Sequence, residues 1–600
     1  MYNNLLYLLI VILVFSTKTV PASALIPGRE VLLVFLCKAY LYYRLVRAAH
    51  RPGRIENSRE YFAAEQRFSI LAILFYAMDI YLLDIKFFLA MFSAGGRLPV
   101  LTSLAGVGLF FVYLSLMWEA SRQSYGVVFE KKYSSRSFLV SNIKANLPII
   151  LPWLILSLIF DIIQLLPFPA LKLPSIRQWS EPLLLLLFFI ALAFVFPALI
   201  KRLWNCTPLP AGAMRSHIEE YCRRQDFSYT DILIWPLFEG RVMTAGIMGI
   251  SRRLRFLLIT PSLLETLRID ELNAVLSHEI GHAKKYHLQL YLVLFLGFAL
   301  FINIMADPLL YLLLSTDLFY WFVSKTGNNF DSALAVWGTV PLLLVMIIYF
   351  RYIFGFFMRN FERQADLHVF QTQKNPDPLI SSLEKIAWLS GNIRDLPSWH
   401  HFGIAQRVDF LEKCRANPDI IKRHNRKVLL SVCLYILILL AGAFFINSIP
   451  MQVFEDISQN KLTEAIIKER MRAEPGNATW LRLLADFMQD RGKDYEAAAY
   501  YAKALRLLPD DPELLNNFAW LLVMSSDRNV YDPARGLELA QLAAETKPEG
   551  YILDTLATAY WANGFLQKAL STEKRAIVRD PANREYYLQQ VRMFDDKRKI

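Results

Sequence analysis

The residues from His278 to His282 place two histidines and a glutamate at the spacing that a zinc hydrolase uses. Histidines four residues apart lie on one face of a helix, so both imidazoles can reach the same metal ion. Glu279 then lies on the flank of that face, where its carboxylate can take a proton from a water molecule activated by the metal. The pattern therefore predicts metal-dependent hydrolysis, with a chance match to a short motif as the alternative.

A third ligand should come from a separate part of the chain, because a catalytic zinc takes three protein ligands and keeps one position for water. The charged segment 359–366 holds Glu362 and Asp366, which are four residues apart and share a helical face. Glu362 can bind the metal, while Asp366 can orient a ligand histidine. For this segment alone, a solvated helix with local ion pairs is the alternative interpretation.

Short strands are predicted before the motif. Apolar runs at 232–235 and 255–260 are typical of strands, and the stretch 241–250, punctuated by glycines, favours an edge strand or hairpin beside a cleft. In a peptidase, an edge of this kind can pair with an extended substrate backbone. An ordinary packed hairpin is the alternative.

The helix that carries the motif should begin at Asp270, since aspartate is a favoured N-cap. Gly281 is unfavourable inside a helix, so we expect another backbone or the substrate to approach closely there. His287 follows His282 by five residues and so lies on another face of the same helix. We interpret His287 as a residue at the membrane interface and not as a metal ligand.

The chain is 55% hydrophobic with a mean hydropathy of +0.31, which is too apolar for an ordinary soluble protein. A bilayer is crossed by roughly twenty apolar residues. Such runs predict spans near 68–93, 99–118, 146–167, 182–200, 288–312, 334–357 and 428–448, with a further span near 25–43. Lys38, Asp79, Asp84 and Lys86 fall inside these runs and indicate a protein-lined or watery interior. For Lys86, a side chain that reaches the membrane surface is the alternative.

The net charge of +12 does not indicate nucleic-acid binding, because the basic residues fill alternate loops. The positive-inside rule places the loops at 44–67, 131–144, 201–287 and 358–427 in the cytoplasm. The segments at 94–98, 168–181 and 313–332, and the residues after about 449, then lie on the other side. The five cysteines show no metal-pair spacing, so we expect free thiols.

Residues after 449 have the composition of helical repeats. Pro475 and Pro509 are 34 residues apart, and small residues recur between the prolines. This period is typical of tetratricopeptide repeats, and the third copy shows the pattern through Leu556, Ala559, Tyr560, Gly564, Ala569 and Pro581. A longer spacing after Pro509 predicts an insertion at 525–532. Such a stack would offer a concave surface to a protein partner, and a helical plug or dimer contact is the alternative.

Three features follow one another in the chain: the H-E-x-x-H motif, a pair of membrane spans, and the segment Arg359-x-x-Glu362-x-x-Ala365-Asp366. In this order they resemble the integral-membrane zinc metallopeptidases related to CAAX prenyl protease and the bacterial heat-shock protease HtpX. The resemblance implies that His278, His282 and Glu362 bind one zinc ion per chain. It also implies that Glu279 is the general base and that Asp366 supports the site.

The resemblance extends to a histidine that precedes an arginine by six residues, which corresponds to His401 and Arg407 and implies a role for them in stabilising the oxyanion. Phe402 and Gly403 stand where the family has prolines, and His400 is a rival for the role of His401. The motifs that carry the resemblance lie within about 205–415.

We therefore expect a mainly α-helical, polytopic membrane protein with an embedded zinc-peptidase domain that includes a small β-hairpin or sheet. The predicted domains are a signal-like segment or first span (1–24), a multi-span membrane domain (25–204), a metallopeptidase domain interrupted by the spans 288–312 and 334–357 (205–427), a last span (428–448) and tetratricopeptide-like repeats (449–600).

The predicted function is zinc-dependent endoproteolysis of membrane or membrane-associated proteins, in quality control at a bacterial inner membrane with the site on the cytoplasmic side. The expected partners are protein substrates, the bilayer and a protein bound by the repeats, and not nucleic acid. CAAX-type processing and a non-catalytic scaffold are the alternatives.

Overall fold

The computed structural model describes residues 3–20, 23–24, 26–51, 53–93, 96–130, 132–165, 174–237, 242–325, 330–391, 393–395 and 402–596. The chain divides into two compact units. The first comprises Met1–Leu310 with Asn329–Ile449, and the second comprises Tyr311–Asn328 with Pro450–Ile600.

The first unit begins with seven helices, several of which are long and apolar enough to cross a membrane. They are α1 (Asn3–Thr17), α2 (Gly28–Ala49), α3 (Ser58–Tyr81), α4 (Ile85–Leu89), α5 (Pro99–Val128), α6 (Ser135–Leu165) and α7 (Pro174–Leu203). Most of these helices contribute to one aromatic and aliphatic core, in which Tyr42, Tyr76, Phe110 and Tyr113 are fully buried, and which also includes later helices of the unit.

The intramembrane charges predicted from the sequence are paired inside this core. Lys38 Nζ lies 2.6 Å from an oxygen of Asp79, and the Tyr113 hydroxyl donates to the other Asp79 oxygen at 2.7 Å. Lys86 is buried and donates to the carbonyl of Phe15 at 2.6 Å, so it does not extend to the membrane surface. The interior around these charges is therefore protein-lined.

Six helices in the described part of the chain are long and apolar enough to cross a membrane: Pro99–Val128, Ser135–Leu165, Leu186–Leu203, His287–Leu314, Val336–Thr372 and Asp419–Ile446. The pair Ser58–Tyr81 and Ile85–Phe92, bent by 76°, makes a seventh if it is counted as one span. The protein is thus an integral membrane protein with several spans. The helix Gly28–Ala49 covers the predicted span near 25–43 but is not among these helices, because charged residues interrupt it.

After α7 the first unit continues with a small sheet and short helices. These are β1 (Thr207–Pro208), α8 (Ala213–Arg224), β2 (Asp231–Ile234), β3 (Ala245–Met248), β4 (Phe256–Ile259), α9 (Pro261–Thr266) and α10 (Ile269–Lys284). The strand order is β1-β2-β4-β3, with β2 and β4 parallel and the other pairs antiparallel. The predicted strands are confirmed, and β3 lies at an edge because β4 is its one neighbour among the described strands of the sheet.

The remaining elements of the first unit are α11 (His287–Leu314, whose last turn belongs to the second unit), α13 (Phe330–Ile348), a π-helical segment (Tyr349–Phe354), α14 (Gly355–Asp366), α15 (Val369–Thr372), α16 (Asp377–Leu389), α17 (Ile404–Ala416) and α18 (Asp419–Ser448). The membrane-length helix α11 therefore lies between α10 and α14 in the chain, and α14 itself is part of the membrane-length helix Val336–Thr372. All five cysteines are free thiols, as expected.

The second unit is helical. It contains α12 (Asp317–Lys325), α19 (Met451–Ala473), α20 (Ala478–Gln489), α21 (Asp494–Leu507), α22 (Pro512–Met524), α23 (Pro533–Thr546), α24 (Gly550–Ala562), α25 (Leu566–Arg579) and α26 (Arg584–Asp596). Buried alanines, including Ala497, Ala504 and Ala519, let successive helices pack closely. The predicted insertion is a loop, since eight residues (525–532) connect α22 to α23 where four (490–493) connect α20 to α21.

Candidate metal centre

Three side chains from two helices converge on one point. His278 and His282 lie on α10, Glu362 lies on α14, and their ligand atoms are within 4.8 Å of one another. The two histidine Nε2 atoms are 3.3 Å apart, and the Glu362 oxygens lie 3.7 Å from His278 Nε2 and 3.5 Å from His282 Nε2. Ligands bound tetrahedrally to zinc at 2.0–2.1 Å are about 3.3 Å apart. The donor set and its spacing therefore fit zinc.

Two contacts at the N-terminal end of α10 fix its position. The helix begins at Ile269, and the Arg268 amide donates to a Glu271 oxygen at 2.9 Å. Asp270 is the second helical residue, so the prediction that it is the N-cap is wrong. Glu271 is buried, and Lys385 and Ser381 of α16 donate to its carboxylate at 2.7 Å each. Burial alone would raise the pKa of Glu271, but these partners hold it below the ordinary value.

At the other end of α10, Gly281 meets helix α14. A Cβ at this position would lie 2.9 Å from the Cβ of His368 and 3.1 Å from the Cα of Ala365. The expectation of a close backbone approach is therefore confirmed, and the approaching backbone is that of α14. This contact brings Glu362 within reach of the two histidines.

Asp366 and Arg407 form a second layer around the ligands. Asp366 is fully buried and lies 2.8 Å from His278 Nδ1. Arg407, on α17, donates to both Asp366 oxygens, through Nε at 2.9 Å and Nη2 at 2.6 Å, and its Nη1 is 3.8 Å from Glu362. The carboxylate thus orients the His278 ring with Nε2 toward the other ligands. His400 and His401 lie outside the described residues.

Burial and neighbouring charges shift the proton affinities of the motif residues. Burial raises the pKa of the Glu279 carboxyl to about 7, and the negative charge of Glu362 acts in the same direction. Burial lowers the pKa of His282 well below its ordinary value. Burial also acts to lower the pKa of His278, but the hydrogen bond and charge of Asp366 outweigh it and raise that pKa. Glu279 is therefore suited to exchange protons near neutral pH.

The site opens into a cavity of 530 Å³. One wall is the edge strand β3, from Ala245 to Ile247, and the Ile247 backbone hydrogen-bonds the Glu279 carboxylate. Another wall is apolar and comes from residues of the membrane-length helices: Leu288, Tyr291, Phe295, Phe354 and Met358. An extended peptide with apolar side chains could occupy this space beside the ligands.

His287 contacts one of the ligands, a contact that the sequence did not predict, and its placement at the membrane interface stays a prediction. His287 is fully buried, and its Nδ1 lies 2.9 Å from Nδ1 of the ligand His282. A continuous helix would carry His287 away from His282, but the chain breaks between α10 and α11, where Tyr286 has a φ of +59°. The break turns His287 back toward the metal site. A spacing pattern could not have revealed this, because non-glycine residues seldom adopt positive φ.

Residues 208–431 match peptidase family M48. Over 217 residues the chain is 23% identical to CAAX prenyl protease 1 of Saccharomyces cerevisiae, and the match covers 33% of this chain and 46% of the yeast protein. The chain thus spans less than half the length of that relative. It is also similar to the crystal structure of S. mikatae Ste24p, with 22% identity, a TM-score of 0.42, and coverage of 64% of this chain and 97% of that one. Residues 208–431, the segment that matches peptidase family M48, hold the clustered side chains His278, His282 and Glu362, and this ligand set fits a zinc metallopeptidase.

Proposed function

We propose that the protein is a zinc-dependent endopeptidase that hydrolyses peptide bonds in membrane or membrane-associated proteins, as part of quality control at a bacterial inner membrane. One observation carries the proposal. The ligand set and Glu279 line a cavity that is also lined by apolar side chains from membrane-length helices. Such a lining favours apolar peptide segments, including those drawn from the bilayer.

Each polar residue of the centre has an assigned role in the mechanism. Zinc held by His278, His282 and Glu362 would supply Lewis acidity, activating water and polarising the substrate carbonyl. Glu279 takes the proton of the attacking water at its carboxylate and delivers it to the leaving amine. The Ile247 backbone, bonded to that carboxylate, keeps Glu279 beside the edge of β3.

The substrate backbone pairs with β3 in extended form. Strand addition supplies main-chain hydrogen bonds that do not depend on sequence, while pockets for alternate side chains set the preference. Because the Ile247 backbone hydrogen-bonds Glu279, a peptide paired with the free edge of β3 would run beside the general base. Asp366 orients His278, and His401 with Arg407 are the proposed donors to the oxyanion.

The sidedness proposal places the metal centre at the cytoplasmic face and the C-terminal helices on the opposite face. It is supported by the grouping of Tyr311–Asn328 with Pro450–Ile600 in one compact unit. Lys461 of α19 donates to Asp317 at 2.6 Å and to the Ser315 carbonyl at 2.8 Å. These contacts support the proposal that the loop between the two intervening spans lies on the same side as the C-terminal region.

The helix pairs α20/α21, α22/α23 and α24/α25 are proposed to be tetratricopeptide repeats. Support comes from the 34-residue spacing of Pro475 and Pro509 and from the small buried residues at the helix contacts. In this proposal the stack binds a protein that delivers or regulates substrates.

The decisive experiment compares wild type with Glu279→Gln, purified in detergent. The variant should keep stoichiometric zinc and lose casein hydrolysis by at least about a hundredfold, because the amide cannot accept the water's proton. A chelator should abolish wild-type hydrolysis and added zinc should restore it. Equal activity of the two proteins would refute the proposal and favour a non-catalytic scaffold.

CAAX-type processing is the second candidate, and the similarity to CAAX prenyl protease 1 favours it. Cleavage assays with a farnesylated peptide and its unprenylated counterpart distinguish CAAX-type processing from quality control. Quality control predicts comparable cleavage of both peptides, whereas prenyl processing predicts cleavage of the farnesylated peptide alone. Proteomics with Glu279→Gln as a substrate trap would then identify natural substrates.

A further inference from the structure

The second ring nitrogen of ligand His282 begins a chain of four hydrogen-bonded side chains. His282 Nδ1 is 2.9 Å from His287 Nδ1, and His287 Nε2 is 3.0 Å from Gln364 Oε1. The Gln364 amide nitrogen then donates to Asn425 Oδ1 at 2.7 Å. The chain thus runs from α10, through the first residue of α11 and then α14, to α18.

The direction of every hydrogen bond follows from the metal-facing nitrogen. His282 Nε2 faces His278 Nε2 and Glu362, so a metal there leaves the hydrogen of His282 on Nδ1. That hydrogen must be donated to His287 Nδ1, so His287 carries its own hydrogen on Nε2. His287 then donates to Gln364 Oε1, and the Gln364 amide hydrogen is left for Asn425. One direction satisfies every bond in the chain.

Packing fixes the central member of this chain. The His287 side chain is fully buried and stacks on Phe361, with ring centroids 4.6 Å apart and planes at 10°. Phe361 immediately precedes the ligand Glu362, and Gln364 lies two residues beyond it. The same short stretch of α14 therefore supplies a metal ligand and holds the residue that orients another ligand.

From this geometry we infer that His287 is a positioning residue for the metal centre: it selects the His282 tautomer with Nε2 free for the metal and fixes the ring orientation through Gln364 and Asn425. The two ligand histidines are thereby supported differently. A carboxylate, Asp366, orients His278, whereas a neutral chain orients His282. The neutral support adds no negative charge near the metal and so preserves its Lewis acidity.

The inference rests on zinc binding at the proposed site, and zinc affinity tests it without an activity assay. Full-length protein in detergent is titrated with zinc against a chelator. His287→Phe keeps the stacking on Phe361 but removes both ring nitrogens, and it should weaken zinc binding by about 10–100-fold. His287→Asn can place its amide oxygen near the former Nδ1 and accept from His282, so it should recover most of the affinity.

His424→Phe is the matched control. Like His287, His424 is a buried histidine, but it lies on α18 and hydrogen-bonds the Asn360 carbonyl and no metal ligand. It should bind zinc within about twofold of wild type. Cobalt-loaded His287→Phe should show an altered visible spectrum, which a remote packing defect would not produce. If His287→Phe does not fold, Gln364→Leu replaces it and should weaken binding in the same direction.

Wild-type affinity in His287→Phe would overturn the inference and leave the proposed function standing. Equal weakening in the Asn and Phe variants would also overturn it, because the loss would then not depend on the acceptor for His282. A wild-type protein that binds no zinc would overturn the proposed function together with the inference.

Discussion

The guanidinium group of Arg407 is bound to carboxylates in the structure. Two of its nitrogens bond Asp366, and the third approaches Glu362 at 3.8 Å. The family resemblance implies an oxyanion role, which requires an N–H directed at the substrate carbonyl. Arg407 also lines the cavity, so that role remains a proposal, but its contacts favour holding Asp366 and Glu362 in place.

Arg407→Lys distinguishes these roles. Lysine cannot reproduce two parallel hydrogen bonds to one carboxylate, so Asp366 would hold His278 less firmly. We expect zinc affinity and kcat/KM both to fall, by about tenfold or more. Arg415→Lys, on the same helix in an exposed pair with Asp377, should leave both unchanged. A fall in kcat with wild-type zinc affinity would instead support the oxyanion role.

At the scale of elements, the geometry of the metal centre depends on how α10 packs on α14 and α16. Lys385 and Ser381 hold one end of α10 through Glu271, and Gly281 allows α14 to approach the other end. Glu362 on α14 is far in sequence from the two histidines on α10. Its distance from them is therefore set by this packing, whereas local helical spacing sets only the distance between His278 and His282.

Gly281→Ala should disturb the centre without changing any ligand. The added methyl group would meet His368 at 2.9 Å and the α14 backbone at 3.1 Å, so α10 and α14 must separate. We expect a destabilisation of about 1–3 kcal/mol in thermal unfolding and weaker zinc binding in the same preparation. Gly442→Ala on α18, where nothing lies within 4 Å of the new Cβ, is the control. Wild-type zinc binding in Gly281→Ala would contradict the packing argument.

A buried pair of carboxyl groups, Asp554 on α24 and Glu573 on α25, lies inside the second unit. Both are buried, and the Tyr586 hydroxyl donates to Asp554 at 3.3 Å. Burial raises the pKa of each carboxyl, and the charge of Asp554 raises that of Glu573 further. The folded state therefore binds protons more tightly than the unfolded state.

The sign of the pH effect follows from this difference. The free energy of unfolding of these helices should be highest in acid. It should fall as the pH rises from about 4, the ordinary pKa of a carboxyl group, through the raised pKa values of the folded state. Glu573→Gln should remove most of this fall and stabilise α24 and α25 at neutral pH by about 1–3 kcal/mol. Amide hydrogen exchange of the full chain, corrected for intrinsic exchange rates, measures both the pH dependence and the stabilisation. Exposed Glu545→Gln is the control, and an unchanged pH profile in Glu573→Gln would contradict the prediction.

At the scale of the whole molecule, the metal centre belongs to one compact unit and the C-terminal helices belong to the other. Helices α11 and α13 lie between the histidine ligands and Glu362 in the chain. The segment that connects these two helices belongs to the same compact unit as the C-terminal helices. The sidedness proposal predicts that a substrate bound by the repeats must cross or enter the membrane to reach the site.

Cysteine labelling tests this sidedness. In a cysteine-free background, Lys374→Cys lies in an exposed turn before α16 and Lys503→Cys on an exposed face of α21. A membrane-impermeant maleimide should label the Lys503 position in intact spheroplasts and the Lys374 position only after permeabilisation. Full labelling after detergent solubilisation controls for accessibility. Equal labelling of the two positions in intact cells would show that the predicted last span does not separate them.

Much of the candidate site could be predicted from sequence because the relevant periodicities are local. The four-residue spacing of His278 and His282 sets a shared helical face, and the same spacing relates Glu362 to Asp366. The long apolar runs likewise predicted the membrane-length helices, short apolar runs predicted β2 and β4, and glycines predicted the edge strand β3. The helix Gly28–Ala49 shows the limit of this criterion. Charged residues interrupt its apolar residues, so the length of an apolar run does not decide whether it crosses the membrane.

The sequence by itself determined which residues can bind zinc, since ligand chemistry and helical spacing are properties of short segments. Only the tertiary structure decided three contacts: α10 meets α14 at Gly281, Arg407 donates hydrogen bonds to Asp366, and His287 hydrogen-bonds His282. The first contact joins helices that α11 separates in the chain, the second joins α14 to α17, and the third spans a backbone break at Tyr286 with positive φ. Their formation depends on burial and packing of the whole unit, and such long-range balances leave no periodic trace in the chain.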